Sequence, residues 1–213
     1  MSAPTRRPRG RPVGGGNSAE QAREVLMDAA EHLFTTRGYR ASTMEVIAHE
    51  AGYSRTAIYR QFANRNELIA AMVQRTTQRH MTSILTRIPE NAGPIELLVE
   101  SLVIVATELV ADPLLNTLAD QTPDGTIASL IARDSELTEL VTATVEGIIA
   151  DDATQFRPGI HANDLAQFII ATSLGFLVNA VPVRNDPTVA RGYIETFILP
   201  AIVKKPPPPR RVF

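Results

Sequence analysis

The run from Thr43 to Phe62 constrains this chain more than any other stretch. Met44, Ile47, Ala48 and Ala51 recur at helical spacing and form one apolar stripe. Gly52 follows, a residue type that takes a left-handed conformation without steric cost and so turns the chain sharply. Ala57, Ile58 and Phe62 then give a second short helix a narrow inner face. Ser42 is expected to cap the first helix in a reciprocal box with Glu45, and Ser54 to cap the second. Two short helices joined by a tight glycine turn are a helix-turn-helix. The outer face of the second helix carries Arg55, Thr56, Tyr59, Arg60 and Gln61. Arginine and glutamine can bond bidentately to guanine and adenine edges, and a tyrosine hydroxyl suits a phosphate oxygen, so this face suits duplex DNA.

Charge agrees with that reading. The net charge of −2 conceals an asymmetry: through Arg65 there are ten Arg against six acidic residues, net +4, and the remainder is net −6. A basic end facing nucleic acid and an acidic body repelled by it is the arrangement expected of a DNA reader. Residues 1–17 are rich in Pro, Gly and Arg and lack hydrophobic periodicity, which predicts a disordered basic arm. Within it, Pro8-Arg9-Gly10-Arg11-Pro12 resembles the AT-hook core, in which Arg9 and Arg11 would lie in a narrow A·T-rich minor groove. A basic tail that adds only sequence-independent phosphate attraction is the other reading.

A family resemblance then emerges. Ala29-Ala30, Leu33-Phe34, Gly38-Tyr39, Thr43, Ile47-Ala48, Ala51-Gly52, Ser54, Tyr59, Phe62 and Leu68 stand in one unbroken register that resembles the TetR (tetracycline-repressor-like) family of bacterial transcription regulators. Tyr53 departs from the small aliphatic usual there, although a ring can pack in the same place. The resemblance implies an all-α chain: a three-helix DNA-binding domain over 18–64, a helical ligand-binding and dimerisation domain over 65–203, and a short Pro-rich tail over 204–213, expected to be disordered. It implies a homodimer on an inverted-repeat operator, most often a repressor released by a small molecule. Ser54 through Gln61 would lie at the major groove, with Thr43, Tyr59 and Arg65 holding phosphates. As plain structure, Arg65 could equally be a solvated arginine.

The rest of the chain reads as helices. A first helix, 18–36, buries Val25, Leu26, Ala29, Ala30, Leu33 and Phe34. Asn64 and Glu67 open a long fourth helix reaching Arg87, whose members Leu68, Met72, Thr76, His80, Ile84 and Ile88 lie four apart on nearly one face. Thr76, His80 and Ile84 are candidates for a ligand cavity; a histidine hydrogen-bonded within the core is the alternative. Gly93-Pro94 and Asp112-Pro113 start further helices, a polar loop is expected around Asp120 to Gly125, and Ile127 to Ala150 is helical with a break near Asp134. The stretch Asp164 to Ala180 is apolar nearly all round and must be covered on both sides. With the last helix it supplies Phe168, Thr172, Gly175, Phe176, Tyr193 and Phe197 as candidates for a dimer interface, against a buried central helix of a monomer as the other reading. Aliphatic residues dominate this part, so an apolar effector is expected.

Catalysis, cofactors and metals are not expected. His32, His49, His80 and His161 are scattered, His49-Glu50 has no second ligand at zinc-protease spacing, and there is no cysteine and no phosphate-cradling glycine loop. The lack of a long uncharged apolar run or a leader-like N-terminal pattern leads us to expect a cytoplasmic protein without a membrane span. A ligand-independent architectural DNA binder working through the arm is the alternative function.

Overall fold

Most helices begin where the sequence supplies a side chain that accepts from the first free amides. In the computed structural model, which describes residues 18–89, 91–122, 126–183 and 186–213, α1 (Ala19–Arg37) opens with a reciprocal box between Ser18 and Gln21. α2 (Met44–Glu50), α3 (Arg55–Gln61) and α4 (Arg65–Arg87) are capped by Thr43, Ser54 and Asn64. Thr43 stands where Ser42 was expected: the Ser42 side chain is buried and donates to the Gly38 carbonyl at 2.8 Å, while the Thr43 hydroxyl accepts from Val46 N at 3.3 Å. Glu45 is therefore free of the expected box. Val25 also departs from expectation, lying at the surface on the outer flank of α1.

The body follows as α5 (Pro94–Ile104), continued by a π-helical turn Val105–Leu109, then α6 (Pro113–Gln121), α7 (Thr126–Ala132), α8 (Ser135–Asp151), α9 (Ala162–Leu177) and α10 (Pro187–Tyr193). A second π-helical turn, Ile194–Ile198, leads into α11 (Leu199–Ile202). The expected break near Asp134 is real, and Asp134 caps α8. The polar loop is shorter than expected, because α6 runs to Gln121 and Thr122 is buried; residues 123–125 lie outside the described ones.

One buried core runs from Leu26, Phe34, Ile47, Ile58 and Phe62 in the N-terminal helices through Leu68 and Met72 of α4 into Leu98, Leu102, Val145 and Ile170 of the body. The N-terminal helices are further tied to the body by polar contacts. Arg75 of α4 pairs with Glu24, Asp28 and Glu31 of α1 at 3.0, 2.7 and 2.8 Å, and Arg79 pairs with Glu31. Gln121, at the end of α6, accepts from Tyr39 N at 2.7 Å. Gly38 sits directly under that amide with φ +82°, where a Cβ would come within 3.0 Å of the Gln121 carboxamide.

The C-terminal segment, expected to be disordered, is laid back on the last helices. Arg210 pairs with Glu195 at 3.1 Å and its amide donates to the Thr196 hydroxyl at 3.3 Å, while the Phe213 ring lies 6.3 Å from Tyr193. Pro206 to Pro209 restrict the unfolded chain as well, so less entropy is lost in placing this segment than composition suggests.

Candidate nucleic-acid interface

Three contacts set the recognition helix α3. Gly52 turns with φ +73°, and Tyr53 N donates to the Ala48 carbonyl at 2.8 Å, which closes the turn onto α2. Ile58 and Phe62 are fully buried against α1 and α2. At the far end Arg23 donates to the Gln61 carbonyl at 2.8 Å with its guanidinium 4.2 Å from the Phe62 ring centre, a cation placed at the negative end of the helix. What α3 leaves outward is Ser54, Arg55, Thr56, Tyr59 and Arg60, with Gln61 half-buried.

That face is ordered before any DNA arrives. Glu45 of α2 holds Arg55 Nε at 3.1 Å and accepts from the Tyr59 hydroxyl at 3.4 Å, and the Arg55 guanidinium lies 5.7 Å from the Tyr59 ring centre. The Glu45 carboxyl is held below its ordinary value by its own backbone amide, with Arg55, Thr43 and Tyr59 adding to the effect. Thr43 is exposed, and its hydroxyl accepts from Val46 N while it supports the Glu45 carboxylate. Arg65 is turned inward. Its guanidinium stacks 3.6 Å from the Tyr39 ring centre and bonds the Tyr39 carbonyl, so it braces the corner between α1 and α2. Arg9 and Arg11 lie outside the described residues. Sequence reasoning missed Arg23, Glu45 and Gln121 as parts of this unit. Only Glu45 carried a signal, and its capping-box spacing pointed to the wrong partner.

An apolar cavity with an open mouth lies in the body. Its wall includes Thr77, His80, Met81 and Ile84 of α4, Ser101, Leu102, Val105 and Leu109 of α5 and its π-helical turn, Val141 and Val145 of α8, and Ile170 and Ser173 of α9. His80 and Ile84 are part of this wall. Thr76 is not: it is fully buried, and its hydroxyl accepts from Arg79, which also pairs with Glu31. A stripe spaced by four drifts about 40° per step around a helix of 3.6 residues per turn, so its early members face α1 and its later ones the cavity.

Behind the wall, His80 Nε2 lies 2.9 Å from Asp112 Oδ2, and Asp112 Oδ1 accepts from the Leu114 and Leu115 amides that open α6. Burial raises the Asp112 carboxyl, but the His80 hydrogen bond, the Leu115 amide, the His80 charge and the Leu114 amide outweigh it, leaving it below its ordinary value. A carboxyl depressed on folding stabilises above its unfolded pKa, and that contribution is lost as pH falls through the folded value. Asp112→Asn, which keeps the cap and removes the charge facing His80, should cost about 1 kcal/mol at pH 7. Urea unfolding from pH 7 to pH 3 should show that gap closing. A gap constant with pH would assign the loss to the cap.

At the far end of the body, Phe168 of α9 and Phe197 of the second π-helical turn are 41% and 58% exposed, with Thr172, Gly175 and Tyr193 half-buried. Phe176 differs from the expectation: it is buried and packs edge-on to Tyr193 at 6.0 Å. One residue past Gly175, it lies about 100° further round the helix and faces its own core. Among the described residues no helix is long and apolar enough to cross a membrane.

An all-helical chain presenting a braced helix with Arg55, Thr56, Tyr59 and Arg60 outward is a helix-turn-helix DNA-binding transcription regulator. Residues 26–72 match the bacterial regulatory proteins of the tetR family. An uncharacterized HTH-type transcriptional regulator of Mycobacterium tuberculosis is 31% identical over 135 residues, 63% of this chain and 67% of that protein. The HTH-type transcriptional repressor BepR of Brucella suis is 29% identical over 169 residues, 75% of this chain and 80% of its own. The crystal structure of NalD, the secondary repressor of the MexAB-OprM multidrug efflux pump in Pseudomonas aeruginosa, superposes with a TM-score of 0.58 at 22% identity, over 88% of this chain and 98% of that one. The chain belongs to the tetR family, and its relatives are regulators of transcription, not enzymes.

Proposed function

We propose that the protein is a homodimeric repressor that leaves an inverted-repeat operator when an apolar small molecule enters the cavity of the body. The observation that carries this is the position of α4, which packs on α1 and contributes Leu68 to the core shared with the N-terminal helices and, further along, His80 and Ile84 to the cavity wall. The names of BepR and NalD as repressors favour that sign of regulation. Residues 18–64 form the reading head and 65–203 the effector and dimerisation body, with 1–17 as a basic arm whose Arg9 and Arg11 add to the attraction for DNA.

Arg55, Thr56, Arg60 and Gln61 meet base edges, and Thr43, Ser54 and Tyr59 meet phosphates. Arg65 supports the corner at Tyr39 in place of a direct phosphate contact. On the operator, Arg55 and Tyr59 exchange Glu45 for DNA, so the free protein keeps both side chains close to their working positions. An effector releases DNA only if it binds the two arrangements of the heads unequally, and a tenfold loss of operator affinity requires about 1.4 kcal/mol of difference.

Arg55→Ala tests the assignment of the reading face. The variant should lose about 1–3 kcal/mol on its operator, roughly ten- to a hundredfold, with little change on random duplex at the same salt. Equal losses on both DNAs in a fluorescence-anisotropy titration would show that Arg55 reads only phosphate.

A further inference from the structure

The hydroxyls in the cavity wall have their protons committed elsewhere. Ser101 Oγ donates to the Leu97 carbonyl at 2.7 Å, Ser173 Oγ to Ile169 at 2.8 Å, Thr144 Oγ1 to Leu140 at 2.8 Å and Thr77 Oγ1 to Gln74 at 2.9 Å. Each is a hydroxyl turned back on its own helix, with its lone pairs left over. The Asp112 carboxylate can only accept, so the proton between it and His80 sits on Nε2. Among the described residues of the wall there is no Lys, Arg, Asn, Gln or Tyr. The rest of the wall is aliphatic or thioether.

We infer that this cavity takes an uncharged apolar molecule that donates hydrogen bonds, an alcohol or phenol, and discriminates against carboxylates and molecules that offer only acceptors. The inference rests on the reading of the cavity as the effector site and adds the chemistry of the ligand. A hydroxyl on the ligand adds a bond to lone pairs that are otherwise unused. An ether or ester oxygen gains a bond only if a wall hydroxyl gives up its helix carbonyl, an exchange with little net gain. A carboxylate meets no Lys or Arg among the described residues of the wall and has the Asp112 carboxylate already paired to His80, so it would be poorly compensated for its desolvation.

Isothermal titration of the full chain with two matched series tests this: 2-naphthalenemethanol, 2-methoxynaphthalene and 2-naphthoate, and 1-octanol, heptyl methyl ether and octanoate. In both, the O–H compound should bind about tenfold tighter than the ether of the same size, the value of one well-placed hydrogen bond, with the carboxylate weakest. The double variant Ser101→Ala, Ser173→Ala, with its helix content checked by circular dichroism, should narrow the alcohol-to-ether ratio to about threefold or less by weakening the alcohol alone. An ether or carboxylate that binds as tightly as its alcohol overturns the donor rule and leaves the cavity a ligand site. If neither series binds up to its solubility limit, the effector-site reading falls, and the donor rule with it.

Discussion

Replacing Phe168 and Phe197 together by Glu is expected to abolish dimerisation at micromolar concentration and lower operator affinity at least about a hundredfold. Both rings are partly open to water in the single chain, Phe168 at 41% and Phe197 at 58%. Burial of a phenylalanine side chain is worth about 1.5–3 kcal/mol, and a two-fold interface uses each residue twice. The carboxylates would add desolvation and like-charge repulsion to the loss of that burial. The effect reaches DNA because a single head grips only one half-site. Sedimentation equilibrium should show a monomer with unchanged helix content. A variant that remained dimeric would move the interface away from the α9 and Phe197 surface.

The second large effect is expected at Arg75. Its guanidinium is mostly buried and answers three carboxylates of α1, Glu24, Asp28 and Glu31. Those bonds more than offset the burial that opposes its charge, and hold the Arg75 pKa above its usual value. Arg75→Ala leaves the three acids side by side on α1 without their counter-charge, and with Arg75 only 16% exposed but Glu24 and Asp28 51% and 70% exposed the loss should be about 2 kcal/mol. Arg75→Lys should recover only part of this, since an ammonium cannot present the same planar fork to several acids. Urea unfolding measures both. A loss below about 1 kcal/mol for the alanine variant, the size of an exposed pair, would mean that the head is held by the apolar core alone.

The parts of this fold legible in the sequence were those set by local chemistry. Gly52, Ser54, Asn64 and Pro94 each impose a backbone or capping requirement that no distant residue can change, and the helix boundaries follow from them. Ser42 and Thr43 compete for one cap, and only the buried course of the chain at Gly38 decides between them. Long-range partners were out of reach: nothing adjacent to Gln121 announces Tyr39, 82 residues away, and nothing beside Arg75 names α1. Spacing by four puts Thr76 at the cavity because it ignores the drift of the helix, and an all-apolar helix gives no phase by which to turn Phe176 inward. The C-terminal segment was misjudged for another reason. Composition reports the tendency of a chain to disorder, whereas Arg210 and Phe213 are placed by Glu195 and Tyr193, which lie before the proline run.

Selection of bound sequences from a random duplex pool at near-physiological salt tests the central claim most directly, since that salt suppresses attraction that depends on phosphate alone. The account predicts an enriched inverted repeat whose half-sites lie about 35 Å or a little more apart, one for each α3 of a dimer. Enrichment of A·T-rich sequence without symmetry, lost on deletion of residues 1–17, would contradict it and make the arm the reader.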